Sequence, residues 1–200
     1  MNQNGTTHAK LKVVVIGDAA VGKTSLALRF TKNKIGDTYV STIGGSFCIR
    51  SLFIANKKIC FQIWDTAGTE RFKSFIPLYL RNADVALIMY DITSKKSFDD
   101  IQQWLRVLNE SAPDTIKCAL VGNKSDLQEW RQVTKQEAEA FADVHGLYFI
   151  ETSAKSGQSV EKLFVDIGSL YIDIINKPRR ISSVIHVTDT HLSGRKNTCC

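Results

Sequence analysis

The chain has 200 residues, 44% hydrophobic and 23% charged, with a net charge of +6. That composition fits one domain of ordinary size with a real core, and it excludes a chain disordered throughout. Residues 177–200 hold five basic residues and one acid, so four of the six net charges sit in the tail; a nearly neutral body argues against nucleic-acid binding, while a basic tail suits an anionic membrane.

No apolar run reaches the roughly 18 residues of a membrane helix. The opening MNQNGTTHAK has no apolar core, so no secretory leader is expected there, and Asn2 does not fit N-myristoylation. The expected compartment is reducing, so the five cysteines need not pair. Cys48, Cys60 and Cys118 lie in apolar segments and read as core residues.

Taken in chain order, Leu11–Ile16 is a β-branched run that predicts a strand. A glycine loop follows, then a helix from about Lys23 to Thr31. Phe47–Ile54 and Lys58–Trp64 predict two strands joined by a turn near Asn56. Val85–Tyr90 is continuously apolar, as in a strand buried on both faces. Ser97 is expected to start a helix presenting Phe98, Ile101, Leu105 and Leu108 on one side, and Cys118–Val121 is another buried strand. Thr134 and Glu137 have the spacing of a capping box. Leu147–Ile150 is the last strand; a long amphipathic helix then carries Val160, Leu163, Phe164, Ile167, Leu170, Tyr171 and Ile174, and Pro178 ends it. Strand and helix alternate, which predicts an α/β fold with a mostly parallel six-stranded sheet and helices on both faces. Residues 10–176 are expected to form the domain, with flexible segments at 1–9 and 177–200.

Such sheets bind ligands beyond the carboxyl ends of their strands, and the polar motifs fall there. Gly17-Asp18-Ala19-Ala20-Val21-Gly22-Lys23-Thr24 matches G-x-x-x-x-G-K-[ST] between a strand and a helix. Backbone N–H groups from Ala20 through Ser25 would curl around an anion, aided by the helix N-terminus. Lys23 is a point charge for the outer phosphates and Thr24 a hydroxyl for Mg²⁺. Asp65, ending the strand beside the one that feeds this loop, is placed to hold a magnesium-bound water; a helix cap or turn acid is the plainer alternative. Gly68 lets its N–H approach a terminal phosphate. Asn123-Lys124-Ser125-Asp126 follows a buried strand as a base-reading loop would, because a carboxylate accepts the two donors on one edge of guanine. Glu151-Thr152-Ser153-Ala154-Lys155 follows the next strand, where a small loop can touch the other base edge by backbone N–H.

In this order the motifs resemble the Ras superfamily of small GTPases, over about residues 10–175. WDTAG at 64–68, Thr42-Ile43-Gly44 and the terminal Cys199-Cys200 resemble its Rab branch. The resemblance implies the P-loop small-GTPase fold, bound GTP or GDP with Mg²⁺, and a switch that regulates vesicular membrane traffic. Tyr39–Phe47 is then the first switch, where Thr42 would ligate Mg²⁺ and sense the γ-phosphate; residues 66–80 are the second. Phe47, Trp64 and Tyr79 fall on the aromatic triad that meets effectors, with ordinary strand packing as the alternative for the first two. Implied partners are effectors, an exchange factor, a GTPase-activating protein and prenyl-escort proteins. The implied state is a monomer, prenylated at Cys199 and Cys200, cycling between cytosol and the cytoplasmic face of intracellular membranes; a reactive or metal-binding cysteine pair is the alternative.

The sequence departs from the family in four places. Thr69 stands where a glutamine usually orients the attacking water. Ile35 replaces the phenylalanine that usually lies over guanine, Gly45-Ser46 replaces Val-Asp, and Ala19 and Ala20 replace other small residues. Thr69 predicts slow intrinsic hydrolysis, and it keeps open a GTP-binding scaffold that does not hydrolyse. A P-loop kinase is less consistent with Asn123–Asp126 and Ser153–Lys155.

Overall fold

A seven-residue strand in which every side chain is buried, Val85–Asp91, marks the middle of the sheet. The computed structural model describes residues 8–33, 45–68 and 75–176. Among them the order is β1 (His8–Gly17), α1 (Lys23–Lys32), β2 (Gly45–Ile54), β3 (Lys57–Thr66), α2 (Ile76–Leu80), β4 (Val85–Asp91), α3 (Lys95–Asp99), α4 (Ile101–Ser111), β5 (Lys117–Asn123), α5 (Lys135–His145), β6 (Tyr148–Glu151) and α6 (Val160–Asn176). The strands pair in the order β2-β3-β1-β4-β5-β6. All neighbours are parallel except β2 and β3, which form a hairpin. Its two-residue turn, Ala55-Asn56, has φ of 46° and 61°, the left-handed pair that matches the twist of hairpin strands.

Helices cover both faces. On one, α1 and α6 bury Leu26, Phe30, Leu163, Phe164 and Ile167 against Leu11, Val13, Val15, Phe61 and Ile63. Phe30 stacks on Phe164 at 3.6 Å, and Phe61 meets both rings edge-on at 5.5 and 5.7 Å. Each such pair contributes about 0.5–1.5 kcal/mol beyond area burial, which fixes α1, and the loop before it, against the sheet. On the other face α2 to α5 bury Leu80, Phe98, Ile101, Trp104, Leu108 and Ala138.

Three expectations need correction. The helix after β4 does not start at Ser97: Ser94 caps α3 by accepting the Ser97 N–H, and a second helix begins at Ile101. Ser97 is instead buried, its hydroxyl donating to the Ser94 carbonyl at 2.8 Å. Cys48, Cys60 and Cys118 are half-buried rather than core, and burial pushes the Cys118 thiol up to about 11. Leu170 is exposed, so the buried stripe of α6 runs through Val160, Leu163, Phe164 and Ile167 to Ile172. The cap at Thr134 is present, its hydroxyl accepting the Glu137 N–H at 3.1 Å.

Gly168 shows how closely α6 seats. A Cβ there would lie 2.5 Å from Ile54 Cδ1 and 3.1 Å from Phe61 Cζ. Alanine gains about 1 kcal/mol of helix propensity over glycine, yet overpacking costs about 1–3 kcal/mol. Gly168→Ala is therefore expected to lower stability by about 1 kcal/mol in a denaturant melt; a rise would show that α6 shifts freely.

Candidate functional site

The carboxyl end of β1 turns under β4. Gly17 has φ 138°, and a Cβ on it would stand 2.3 Å from the Met89 carbonyl oxygen, so only glycine passes there. The loop then takes two more left-handed residues, Ala20 at 63° and Gly22 at 98°. Ala20 holds this conformation despite its Cβ. Gly22 must lack one, because it would meet Asn123 Nδ2 at 2.2 Å. Helix α1 starts here without a side-chain cap, so Val21, Gly22, Lys23, Thr24 and Ser25 bring a loop and a bare helix N-terminus together, which favours an anion.

Lys23 is 5% exposed, and its ammonium donates to the Gly17 carbonyl at 2.8 Å and the Asp18 carbonyl at 2.6 Å. Burial pulls its pKa down to about 8, opposed by Asp65 and Asp18. A phosphate would supply the negative charge that a buried ammonium needs. Gly68 closes over the same spot: a Cβ on it would fall 2.3 Å from Lys23 Nζ and 2.5 Å from both the carbon and oxygen of the Asp18 carbonyl.

Asp65 lies beside Val15 in the β1–β3 register. Its Oδ2 accepts the Thr24 hydroxyl at 2.6 Å and the Ser46 hydroxyl at 3.3 Å. Its Oδ1 is buried with no hydrogen-bond partner. Burial pushes the carboxyl above the usual carboxylate range, against the pull of Thr24, Lys23 and Ser46. Leaving a buried acceptor unpaired costs about 1–3 kcal/mol. Magnesium, the ion the family implies, fits this donor set, because it takes hard oxygen ligands, uses few from the protein and keeps several waters. Thr24 would ligate the ion and Asp65 would hold one of its waters. The Gly45-Ser46 departure is visible at Ser46, which faces Asp65 across the hairpin; a hydroxyl there donates where a second carboxylate would repel.

The loops after β5 and β6 are joined by one side chain. Asn123, 1% exposed, donates from Nδ2 to the Val21 carbonyl at 2.8 Å. Its Oδ1 accepts the Ala154 N–H at 3.1 Å and the Thr152 hydroxyl at 3.3 Å. Asn123 thus ties the phosphate loop to both later loops. Asp126 accepts the Ser153 hydroxyl at 2.5 Å on Oδ1 while the residue stays exposed, so the carboxylate is oriented from behind. Lys124, at φ 66°, reaches back to Asp91 Oδ2 at 2.6 Å. Ala154 is buried and Lys155 exposed, and both carbonyls are held by Arg29 of α1 at 2.8 and 2.5 Å. Sequence reasoning missed Arg29 and Asp91, and took Ser46 only as a departure from the family. Only Arg29 carried a signal, a basic residue among the apolar positions of α1; its partners lie 125 and 126 residues away.

Phe47, Trp64 and Tyr79 are brought together, with centroids 4.9 and 5.7 Å apart along the row. Phe47 is half exposed, which sets it apart from ordinary core packing. Gly45 makes room for the row: a Cβ on it would lie 2.9 Å from the Tyr79 hydroxyl. Thr42, Thr69, Ile35, Cys199 and Cys200 lie outside the described residues.

A family model described as the Ras family matches residues 12–172. The chain is 43% identical over 191 residues to the Ras-related protein Rab-13 of Mesocricetus auratus, covering 94% of this chain and 93% of that one. It is 40% identical over 201 residues to Rab-5A of Dictyostelium discoideum, covering both chains fully, and 42% identical over 178 residues to Rab-8 of Diplobatis ommata, covering 89% and 85%. With the Gly17–Thr24 loop, a buried aspartate beside Thr24 and the Asn123–Asp126 loop at strand ends of one sheet, and with these relatives over most or all of its length, the chain belongs to the Rab small GTPases of the Ras superfamily, a family of GTP hydrolases.

Proposed function

We propose that this chain is a GTP/GDP switch of membrane traffic, acting on the cytoplasmic face of intracellular membranes, whose active state is long-lived because Thr69 orients the attacking water poorly. The observation that carries the nucleotide part is the buried, unpartnered Asp65 Oδ1 beside Thr24 and the buried Lys23 ammonium, a set of charges that a magnesium-bound phosphate would complete. Magnesium, when bound, neutralises charge on the phosphate oxygens. Lys23 would do the same, and the Gly68 N–H and Thr42 would sense the γ-phosphate. Asn123 and Ser153 orient, Asp126 selects guanine, and Lys124, Ala154 and Lys155 line the base.

Thr69 is too short to offer a water the paired donor and acceptor of an amide. Removing one placed polar group from such a site costs about 10²–10³-fold in rate. In single-turnover assays with pre-loaded GTP, Thr69→Gln is expected to hydrolyse about 100-fold faster than the parent. Equal rates would overturn the long-lived state but not nucleotide binding. No hydrolysis in either protein would favour the second reading, a GTP-bound scaffold that recruits effectors, to which Thr69 and Ile35 point.

The Phe47–Trp64–Tyr79 row supports effector docking, with exchange factor, GTPase-activating and prenyl-escort proteins as the other partners. Cys199 and Cys200 are proposed to carry prenyl groups, since two chains anchor firmly where one is marginal. The paired change Cys199→Ser and Cys200→Ser should move the protein from the membrane pellet to the soluble fraction; continued pelleting would sink the anchor.

A further inference from the structure

Trp104 lies in the middle of α4, 1% exposed, among the residues that bury this helix on the sheet. Its indole N–H points out of that packing and donates to Asp18 Oδ1 at 2.9 Å, across 86 residues of sequence. Asp18 is the second residue of the phosphate loop. The carbonyl of the same residue accepts the Lys23 ammonium at 2.6 Å. That carbonyl also sets the clearance of Gly68, whose Cβ position would lie 2.5 Å from it. One peptide therefore meets both groups that face the outer phosphates. Turned by a few tenths of an ångström, it would re-aim Lys23 and crowd Gly68 together.

Besides the indole, the Asp18 carboxylate meets the Asp100 side chain and the charge of Lys96, both on the same helical face of the fold's α3–α4 segment. Asp18 is only half-buried, and Ala19 and Ala20 after it are exposed. A charged acceptor makes a strong hydrogen bond with a buried donor, and the donor here sits on a helix held by Ile101 and Leu108 in the core. The α4 packing is thereby transmitted to the exposed first half of the loop, ahead of the buried Val21.

We propose that Trp104 is a positioning residue for nucleotide binding, acting through the Asp18 carboxylate to hold the carbonyl that aims Lys23 and clears Gly68. The proposal rests on the nucleotide-binding reading above and assigns α4 a direct part in it. It also makes the first variable position of the phosphate loop an anchor rather than a spacer.

The test is release of a fluorescent GDP analogue from the full chain in excess magnesium, for the parent and four variants. Trp104→Phe and Asp18→Ala should each speed release about 10-fold, the loss expected of one charge-assisted bond. The double variant should be no faster than Asp18→Ala alone, because that change already removes the Trp104 bond along with the Asp100 and Lys96 contacts. Asp18→Asn, which keeps an oxygen for the indole, should stay within about two-fold of the parent. A merely structural tryptophan would give a different pattern: a lowered melting temperature with release unchanged, or rates that multiply in the double variant. Either result overturns the proposal, as does an Asp18→Asn as fast as Asp18→Ala. A parent that retains no GDP analogue would overturn the nucleotide reading itself, and the parent measurement separates that failure from the others.

Discussion

Gly68→Ala is expected to slow single-turnover GTP hydrolysis by at least about 10³-fold while leaving GDP affinity within about three-fold. The Cβ of alanine would fall 2.3 Å from Lys23 Nζ and 2.5 Å from the Asp18 carbonyl carbon and oxygen. The lysine tip could swing aside, but the Asp18 peptide is backbone and belongs to the phosphate loop. The strand end must therefore move away, taking the Gly68 N–H out of reach of a terminal phosphate. Losing one such donor costs about 10²–10³-fold, and the displacement of residue 69, next in the chain, adds to it. GDP lacks the γ-phosphate and should be spared. The check is to measure both quantities on the same preparation; a variant that hydrolyses within about three-fold of the parent would show that the strand end can yield without consequence.

The second large effect is at Asn123. Asn123→Ala is expected to raise the GDP dissociation rate by about 10²-fold or more. The change leaves the Val21 carbonyl and the Ala154 N–H without the amide that now serves both. Each orphaned buried group costs about 1–3 kcal/mol, and a loss near 3 kcal/mol is a factor of about 10². The penalty falls on the nucleotide because Val21 belongs to the phosphate loop and Ala154 to the base loop, so the two halves of the site lose their common brace. Asp126→Asn gives the contrast. It keeps the Ser153 contact but replaces an acceptor with a donor, and the expected change is in preference for guanine over other bases. Dissociation from Asn123→Ala within about three-fold of the parent would mean that bound nucleotide alone holds the loops together.

Much of the fold was legible because a strand buried on both faces has to be apolar throughout. Val85–Tyr90 and Cys118–Val121 announced themselves in this way and became β4 and β5, each lengthened at its carboxyl end by a polar residue, Asp91 and Asn123. Those polar ends are where the site lies. The helix after β4 was less legible, because Ser94 and Ser97 are both capable caps and only packing decides between them: Ser97 turns inward and Ser94 caps. Leu170 had the right spacing for the buried stripe of α6, yet it remains exposed while Ile172, two residues on, is buried.

The sequence by itself determined the chemistry of this protein. Gly17 to Thr24, Asp65, Gly68, Asn123 to Asp126 and Ser153 to Lys155 are local patterns, and a local pattern can be read wherever backbone conformation and side-chain type are enough to define a task. The tertiary structure decided how those tasks are coupled. That Asn123 braces Val21 and Ala154, that Arg29 holds the carbonyls of Ala154 and Lys155, and that Trp104 reaches Asp18 are facts of which strands lie side by side. Hydrogen bonds between residues about 30 to 126 positions apart leave no periodicity and no motif. They arise only once the β2-β3-β1-β4-β5-β6 order brings the strand ends to one edge, where each buried polar group must find its partner in a neighbouring loop.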